Sequence, residues 1–380
     1  MFIQLIIITA LLAQFPQPNI VVFLVDDLGW QDTSVPFHSE VTPFNELYNT
    51  PNLEKLAAKG TKYTNAYAAG PVCTPSRTSL LTGQSPARSH ITYWTLYKDK
   101  DTSKKHPTLS PPQWDLDALQ PGELTLPSLL QDAGYHTIHV GKAHLGAVDS
   151  PGGNPENLGF DVNVAGHGAG GPGSFYGTHR FMATREKKDF ENHQVWDVPG
   201  LEKYHDQEIF LSEALAIEAC NEIEKAVETN EPFFLHFAPY AVHTPIMPNP
   251  KYNEKYEGID KREAAYATMV ESVDASLGSV LDTLQELGIA DNTIVIFTSD
   301  NGGLSAHARG GAKHTHNKPL RSGKGSAYEG GIRVPLIVQD LDKKSSVNTE
   351  NVISHDLFPT ILQYAGIDAP DNHVFDGIAL

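Results

Sequence analysis

Cysteine is nearly absent from this sequence: 380 residues carry two, Cys73 and Cys220, with no CxxC pair and no cysteine–histidine cluster. That scarcity excludes a disulfide framework and a structural zinc site. Positive charge is also short, with 28 Lys and Arg against 46 Asp and Glu and a net charge of −18. Such a balance repels nucleic acid and anionic membrane surfaces, so any anion-binding groove has to be local. The apolar stretch at the start, Met1 to Ala13, falls short of the roughly 20 residues needed to cross a bilayer, which excludes stable membrane insertion there. It reads as a short secretory signal peptide over 1–13, although no Lys or Arg precedes it and no small-x-small cleavage site follows. The expectation is a secreted or periplasmic protein with one domain over 14–380. Repeats and low-complexity tracts are missing as well. What is present is 40% hydrophobic and 19% charged, enough to bury a large core.

Ile20 to Val25 is an unbroken apolar run rich in β-branched residues, suited to a strand covered on both faces, and it stops abruptly at Asp26-Asp27. Thr50, Pro51 and Gly60 bracket a helix as cap, first-turn proline and stop. The alternation continues. Helix 126–133 precedes strand 137–140, helix 206–228 precedes strand 233–237, helix 262–287 precedes strand 293–298, and helix 354–364 follows strand 334–338. This order predicts an α/β fold, a mostly parallel central sheet with helices on both faces. In that architecture ligands bind beyond the C-terminal strand ends. The polar residues stand there: Asp26-Asp27, Lys142 and His144, His243, and Asp300-Asn301 each follow a predicted strand. Cys220 falls in a helical apolar pattern as a core cysteine. The glycine- and proline-rich segment 152–177 and the polar segment 97–113 read as surface loops.

Asp26-Asp27 and Asp300-Asn301 supply four oxygen-bearing side chains, the ligand chemistry of hard cations such as calcium or magnesium. Each pair alone is equally a turn or a helix cap. On one edge of a parallel sheet, the two together point to a metal site. Cys73 lies before Pro75, at the start of a helix running to Thr82. A helix N-terminus lowers a thiol pKa, which makes a cysteine nucleophile with Arg77 as anion clamp one reading.

A more specific reading comes from Cys73-Thr74-Pro75-Ser76-Arg77, continued by Leu80-Leu81-Thr82-Gly83, which resembles the C-x-P-x-R signature of the formylglycine-dependent sulfatases of the alkaline phosphatase superfamily. The resemblance extends over nearly the whole chain in the family's order. It takes in Pro18 to Trp30, Gly141-Lys142-Ala143-His144, His243-Thr244-Pro245, Thr298 to Gly302, and Gly323 to Pro335.

That resemblance implies a sulfatase catalytic domain over 14–380 in which a separate formylglycine-generating enzyme oxidises Cys73 to formylglycine. It implies one calcium ion on Asp26, Asp27, Asp300 and Asn301, shared with the matured Cys73 side chain. A hydroxyl of the aldehyde hydrate, deprotonated by Asp300, attacks sulfur. Arg77, Lys142 and Lys324 neutralise the sulfate oxygens, and His243 or Lys324 protonates the departing alkoxide. His144 then removes the second hydroxyl's proton, the carbon–oxygen bond to sulfate breaks with release of sulfate, and the aldehyde returns. The substrate implied is a sulfate ester, with sulfated carbohydrate as the expected partner.

Departures from the family pattern carry their own expectations. Ala143 replaces an aromatic residue between lysine and histidine, which suggests an opened pocket wall. Tyr93, Trp94 and Tyr97 are candidates for stacking on a sugar ring, against the plainer reading of loop aromatics that cover a core. His307, His314 and His316 form a histidine-rich stretch, and Lys318 reads as a loop cation. Related sequences continue past Leu380 into a smaller C-terminal subdomain, so that subdomain is expected to be missing or truncated here. Two other functions fit parts of the pattern: a phosphodiester or phosphonate monoester hydrolase with the same metal ligands, and a non-catalytic module that binds sulfated glycans.

Overall fold

Continuous rather than alternating hydrophobicity marks the centre of the sheet. In strand β1 (Asn19–Val25), Val21, Phe23 and Val25 enter one core while Ile20, Val22 and Leu24 enter another, so every residue of the run is buried. In the computed structural model, which describes residues 17–103, 105–183, 194–304, 317–341 and 344–380, β1 is central among eight strands. The others are β2 (Thr61–Tyr67), β3 (His136–Gly141), β4 (Val162–Val164), β5 (Phe233–Ala238), β6 (Thr293–Ser299), β7 (Arg333–Gln339) and β8 (Ser346–Ile353). Their order is β4-β3-β5-β1-β6-β7-β2-β8. Seven run parallel; β7 alone is antiparallel to its neighbours β6 and β2.

Among the described residues the helices are α1 (Pro43–Leu47), α2 (Pro51–Lys59), α3 (Cys73–Thr82), α4 (Pro86–Ser89), α5 (Leu126–Asp132), α6 (Leu211–Thr229), α7 (Lys261–Glu286), α8 (Glu329–Ile332) and α9 (Leu357–Ala365). Helices α2, α6 and α7 cover one face of the sheet through residues such as Leu53, Leu215 and Val273. The opposite face packs on α3, α5 and α9 through Leu81, Leu130 and Phe358. This is the doubly covered α/β arrangement that the alternation predicts. Cys220 is half-buried on α6. None of the described helices is long and apolar enough to cross a membrane.

Three local expectations are corrected. The chain before α6 does not start its helix at Asp206: Phe210 bridges Tyr176 and Leu211 N–H bonds to Phe175 O, which delays the helix to Leu211. The segment 152–177 is not a surface loop; most of Ala165–Phe175 is buried, because its glycines let the backbone press against other groups. Ala143 opens no pocket wall, since it packs, buried, in the core beneath α3 and α5. The 97–113 segment is exposed as expected. The apolar stretch 1–13 and His307, His314 and His316 lie outside the described residues.

Candidate active site

Strands β1 and β6 are neighbours in parallel register, with Val25 opposite Ser299, so Asp26-Asp27 and Asp300-Asn301 emerge side by side. Asp27 N–H donates to Asp300 Oδ1 at 3.1 Å, Leu28 N–H to Ser299 Oγ at 3.0 Å, and Asn301 Nδ2 to Asp27 Oδ1 at 2.8 Å. These bonds hold Asp27 at φ 61°, a left-handed conformation that non-glycine residues rarely adopt and that concentrates at functional sites. All four side chains are buried.

Cys73 opens α3, a helix buried along its whole length although it carries five Ser and Thr residues. The helix tolerates burial because those hydroxyls bond locally: Thr78 Oγ1 donates to Thr74 O, Thr82 Oγ1 to Thr78 O, and Ser76 Oγ to Gly70 O. Pro75 falls in the first turn, where its missing N–H costs nothing. One turn after Cys73, Arg77 donates from Nε to Asp300 Oδ2 at 2.8 Å and from a terminal nitrogen to Lys142 O at 2.8 Å. Its other terminal nitrogen is buried without a hydrogen-bond partner and lies 3.7 Å from Asp26 Oδ1.

Lys142 follows Gly141, whose φ of 99° and 2.1 Å approach of a notional Cβ to Ala238 O require glycine. Lys142 Nζ reaches both Asp26 oxygens at 2.7 Å and Cys73 Sγ at 3.1 Å. Lys324 arrives from the opposite direction, on the turn before antiparallel β7, and Nζ stands 2.9 Å from Asp27 Oδ2 and 3.3 Å from Cys73 Sγ.

Burial decides the electrostatics of the sulfur. It pushes the Cys73 thiol up to about 12 against the pull of Lys142 and Lys324, so the thiolate expected from the helix N-terminus does not form at neutral pH. Burial likewise lifts Asp26 to about 8; Lys142 opposes this, and Asp300 and Asp27 add to it. For Asp300, burial is outweighed by Arg77 and Lys142, which hold it well below the usual carboxylate range. For Asp27, burial is outweighed by Lys324 and His243 together, and the net direction is down. Lys324 loses by burial but gains more from Asp27 and the other anions, and stands well above its ordinary value.

Three crowded carboxylates favour an added positive charge. An oxygen of Asp26, an oxygen of Asp27 and Cys73 Sγ lie within 4.8 Å of one another. Asn301 Oδ1 is buried and accepts no hydrogen bond, as an oxygen aimed at a cation would be. This oxygen-rich donor set fits a hard divalent ion.

Two histidines border the sulfur. His144, at φ 54°, has Nε2 2.8 Å from Thr95 O, so Nε2 carries the proton and donates. Its Nδ1 is buried with no partner. His243 donates from Nδ1 to Thr244 O at 2.8 Å and turns Nε2 toward Asp27 Oδ2 at 3.7 Å. Burial, aided by Lys142, holds His144 well below its usual value; burial, aided by Lys324, brings His243 to about 3. Both rings are therefore neutral with one lone pair available. Gly170 and Gly171 press on them: a Cβ at Gly170 would stand 2.3 Å from the His144 ring, and one at Gly171 2.9 Å from the His243 ring.

A cavity of about 300 Å³ opens over this group, lined by Cys73, His144, His243, Lys324, Trp94 and Trp196 among others. All ten residues singled out in the sequence for catalysis or metal binding converge here. Tyr93 also lines the cavity; Tyr97 does not, and Lys318 borders a separate cleft beside His38 and Phe44. Trp196, Thr95, Gly170 and Gly171 escape sequence reasoning. A Gly-Gly pair before Pro172 hints at a close backbone approach, whereas nothing in the local sequence marks Trp196.

The fold places the chain in the alkaline phosphatase-like class of α/β proteins; a phosphonate monoester hydrolase of Agrobacterium radiobacter, 18% identical, superposes with a TM-score of 0.62 over 96% of this chain and 76% of its own. Within that class the chain belongs to the sulfatase family, whose pattern matches residues 18–367. N-acetylgalactosamine-6-sulfatase of Canis lupus familiaris is 33% identical over 96% of this chain and 66% of its own length, and a sulfatase of Formosa agariphila is 31% identical over 94% and 70%. The solved structure of Ps i-CgsB in complex with k-i-k-neocarrahexaose is 29% identical with a TM-score of 0.77, covering 95% of this chain and 75% of that one. The chain spans about two thirds of the length of the first of these relatives, at 66%.

Proposed function

We propose that this protein hydrolyses sulfate esters, probing a sulfated carbohydrate with Cys73 matured to formylglycine and one calcium ion held by Asp26, Asp27, Asp300 and Asn301. The observation that carries this reading is the convergence of three carboxylates and the partnerless Asn301 oxygen on Cys73, flanked by Arg77, Lys142 and Lys324. Formylglycine, once hydrated, supplies a hydroxyl nucleophile and a second hydroxyl for turnover. Calcium supplies positive charge beside the sulfate and eases deprotonation of that nucleophile.

The chain's own residues do the rest. Arg77, fixed by Asp300 and Lys142 O, keeps its remaining terminal nitrogen buried and without a hydrogen-bond partner beside Asp26. Lys142 and Lys324 bracket the nucleophile's position and can neutralise sulfate oxygens. Asp300, kept ionised by Arg77, is the acceptor for the nucleophile's proton. Of the two candidate proton donors to the leaving group, Lys324 holds its proton and His243 is neutral, which assigns donation to Lys324 and orientation to His243. His144 offers an unpaired Nδ1 as base for the second hydroxyl. Sulfated carbohydrate is supported by the aromatic residues in the cavity and by the names of the relatives. On the same reading, residues 14–380 form the catalytic domain, a formylglycine-generating enzyme is the maturation partner, and the protein acts outside the cytoplasm.

The test is co-expression with a maturation enzyme, the mass of the peptide bearing Cys73, and turnover of an aryl sulfate beside an aryl phosphate diester. Aldehyde formation with faster sulfate turnover, lost in Cys73→Ala, is expected. Activity from an unmodified thiol, or a large preference for the diester, overturns the reading.

A further inference from the structure

The cavity above Cys73 is at the small end of ligand pockets, which span about 300–1,000 Å³, and its volume of about 300 Å³ suits one sugar ring and its sulfate. Its polar groups, Lys324 and the two neutral histidines, border Cys73, whereas Tyr93, Trp94, Trp196 and Leu304 contribute apolar surface. The Trp94 side is braced by rings: Tyr93 lies 6.2 Å from Trp94 and 6.4 Å, edge-on, from Trp114.

The Trp196 side is braced by hydrogen bonds that lead back to the catalytic histidines. Trp196 O accepts the Gly173 N–H, and the preceding Val195 O accepts from His167 Nε2 at 3.3 Å. His167 Nδ1 meets the buried Tyr240 hydroxyl at 3.0 Å, Tyr240 itself bonds to Ala165 O at 2.9 Å, and His167 O accepts the His144 N–H at 3.1 Å. Ala165 to Gly173 is thus stitched at both ends, while its middle, Gly170 and Gly171, presses on His144 and His243. One loop sets the position of both the tryptophan and the proton-handling rings.

We propose that Trp196 is the specificity-determining residue for a single sulfated hexopyranose, stacking on the ring's apolar face, and that His167 is the positioning residue that holds it in register with His144. The proposal rests on the sulfate ester reading above and deepens it to a substrate class. A stacking platform recognises ring shape without adding charge, which suits a site whose ionic groups are occupied by the sulfate.

Galactose 4-sulfate and galactose 6-sulfate are titrated into calcium-loaded Cys73→Ala protein by calorimetry. Trp196→Ala in that background is expected to weaken binding of at least one of them about tenfold or more, Trp196→Phe to restore it to within about threefold, and His167→Ala to weaken it by a smaller factor. In matured protein, Trp196→Ala is expected to raise KM on the sugar sulfate by a similar factor with kcat within about twofold. Equal affinity in Trp196→Ala and its parent, or binding of neither sugar by the parent, overturns the proposal. Failure of the sulfate ester reading shows separately, as absence of aryl sulfate turnover by the matured parent.

Discussion

His144 shows how little freedom a residue at this site retains. Its backbone is left-handed, its Nε2 is tied to Thr95 O, and its ring lies against the Gly170 backbone. A methyl group at Gly170 would meet Cε1 at 2.3 Å and Nδ1 at 2.5 Å, closer than atoms tolerate, so Gly170→Ala has to displace the ring or the loop. Displacements near 1 Å at a reacting group cost about a hundredfold in rate. Gly170→Ala is therefore expected to lower kcat about a hundredfold with unchanged circular dichroism. Gly171→Ala should cost less, because its contact is longer, 2.9 Å, and the His243 side chain is 20% exposed and can give way. Wild-type kcat in Gly170→Ala would show that the His144 ring position is not what the loop controls. At this scale the sequence was legible wherever chemistry demands a rare residue in a fixed motif, as for Asp26, Cys73, Arg77 and Asn301. It was illegible where the role is space: Gly170 matters for a side chain it lacks, and Trp196 reaches the cavity through tertiary contacts alone. A helix N-terminus, which lowers a thiol pKa, is visible in sequence, whereas the burial that raises the Cys73 thiol is not.

Among the elements, the strands and helices with strong apolar patterns were readable, including β1, β5, β6, α6 and α7. Strands β2 and β8 were not, since Thr61–Tyr67 and Ser346–Ile353 are rich in polar residues and β8 is largely exposed at the sheet edge. The reversed direction of β7 is also hidden in sequence, yet it matters: running antiparallel, it begins at the edge where the other strands end, which brings Lys324 to Cys73. Helix α3 is fastened from its far end by the C-terminal segment. Asp376 binds Arg88 through both oxygens and accepts from Ser85 N and Oγ, Asp376 N donates to Gly83 O, and His373 Nε2 donates to Thr82 O. The Arg88 bond, ahead of the Ser85 bonds, holds the Asp376 carboxyl well below its ordinary value. A depressed carboxylate stabilises the fold above its unfolded pKa, about 3.9, and that contribution disappears as pH falls through the lower folded value. Asp376→Asn is thus expected to speed amide exchange in residues 373–380 roughly fivefold at neutral pH, with a constant difference from wild type down to about pH 4 and a shrinking one in stronger acid. A difference that grows on acidification would contradict this anchor.

For the whole molecule, a net charge of −18 has to coexist with the proposed capture of an anionic sulfate ester. The fold resolves this by pooling opposite charges at one sheet edge: Asp26, Asp27 and Asp300 face Arg77, Lys142 and Lys324. A divalent ion bound among these carboxylates would add further positive charge to the pocket. Because the proposed ligands come from β1 and β6, the central pair of the sheet, the free energy of binding an ion there would also be folding free energy. At a calcium concentration a hundredfold above Kd, the expected stabilisation is about 2.7 kcal/mol, read as a rise in Tm of about 3 °C in a chain this long. Chelation should reverse the rise, and Asn301→Ala or Asp300→Asn should abolish it. Lys142 gives the argument its sharpest form. Its Nζ lies 2.7 Å from both Asp26 oxygens and so competes with any ion for that carboxylate. Lys142→Ala is expected to enlarge the calcium-dependent Tm shift while lowering sulfate ester turnover, two effects of opposite sign from one substitution. A smaller calcium shift in Lys142→Ala would mean that the lysine helps to build the ion site instead of contending for it.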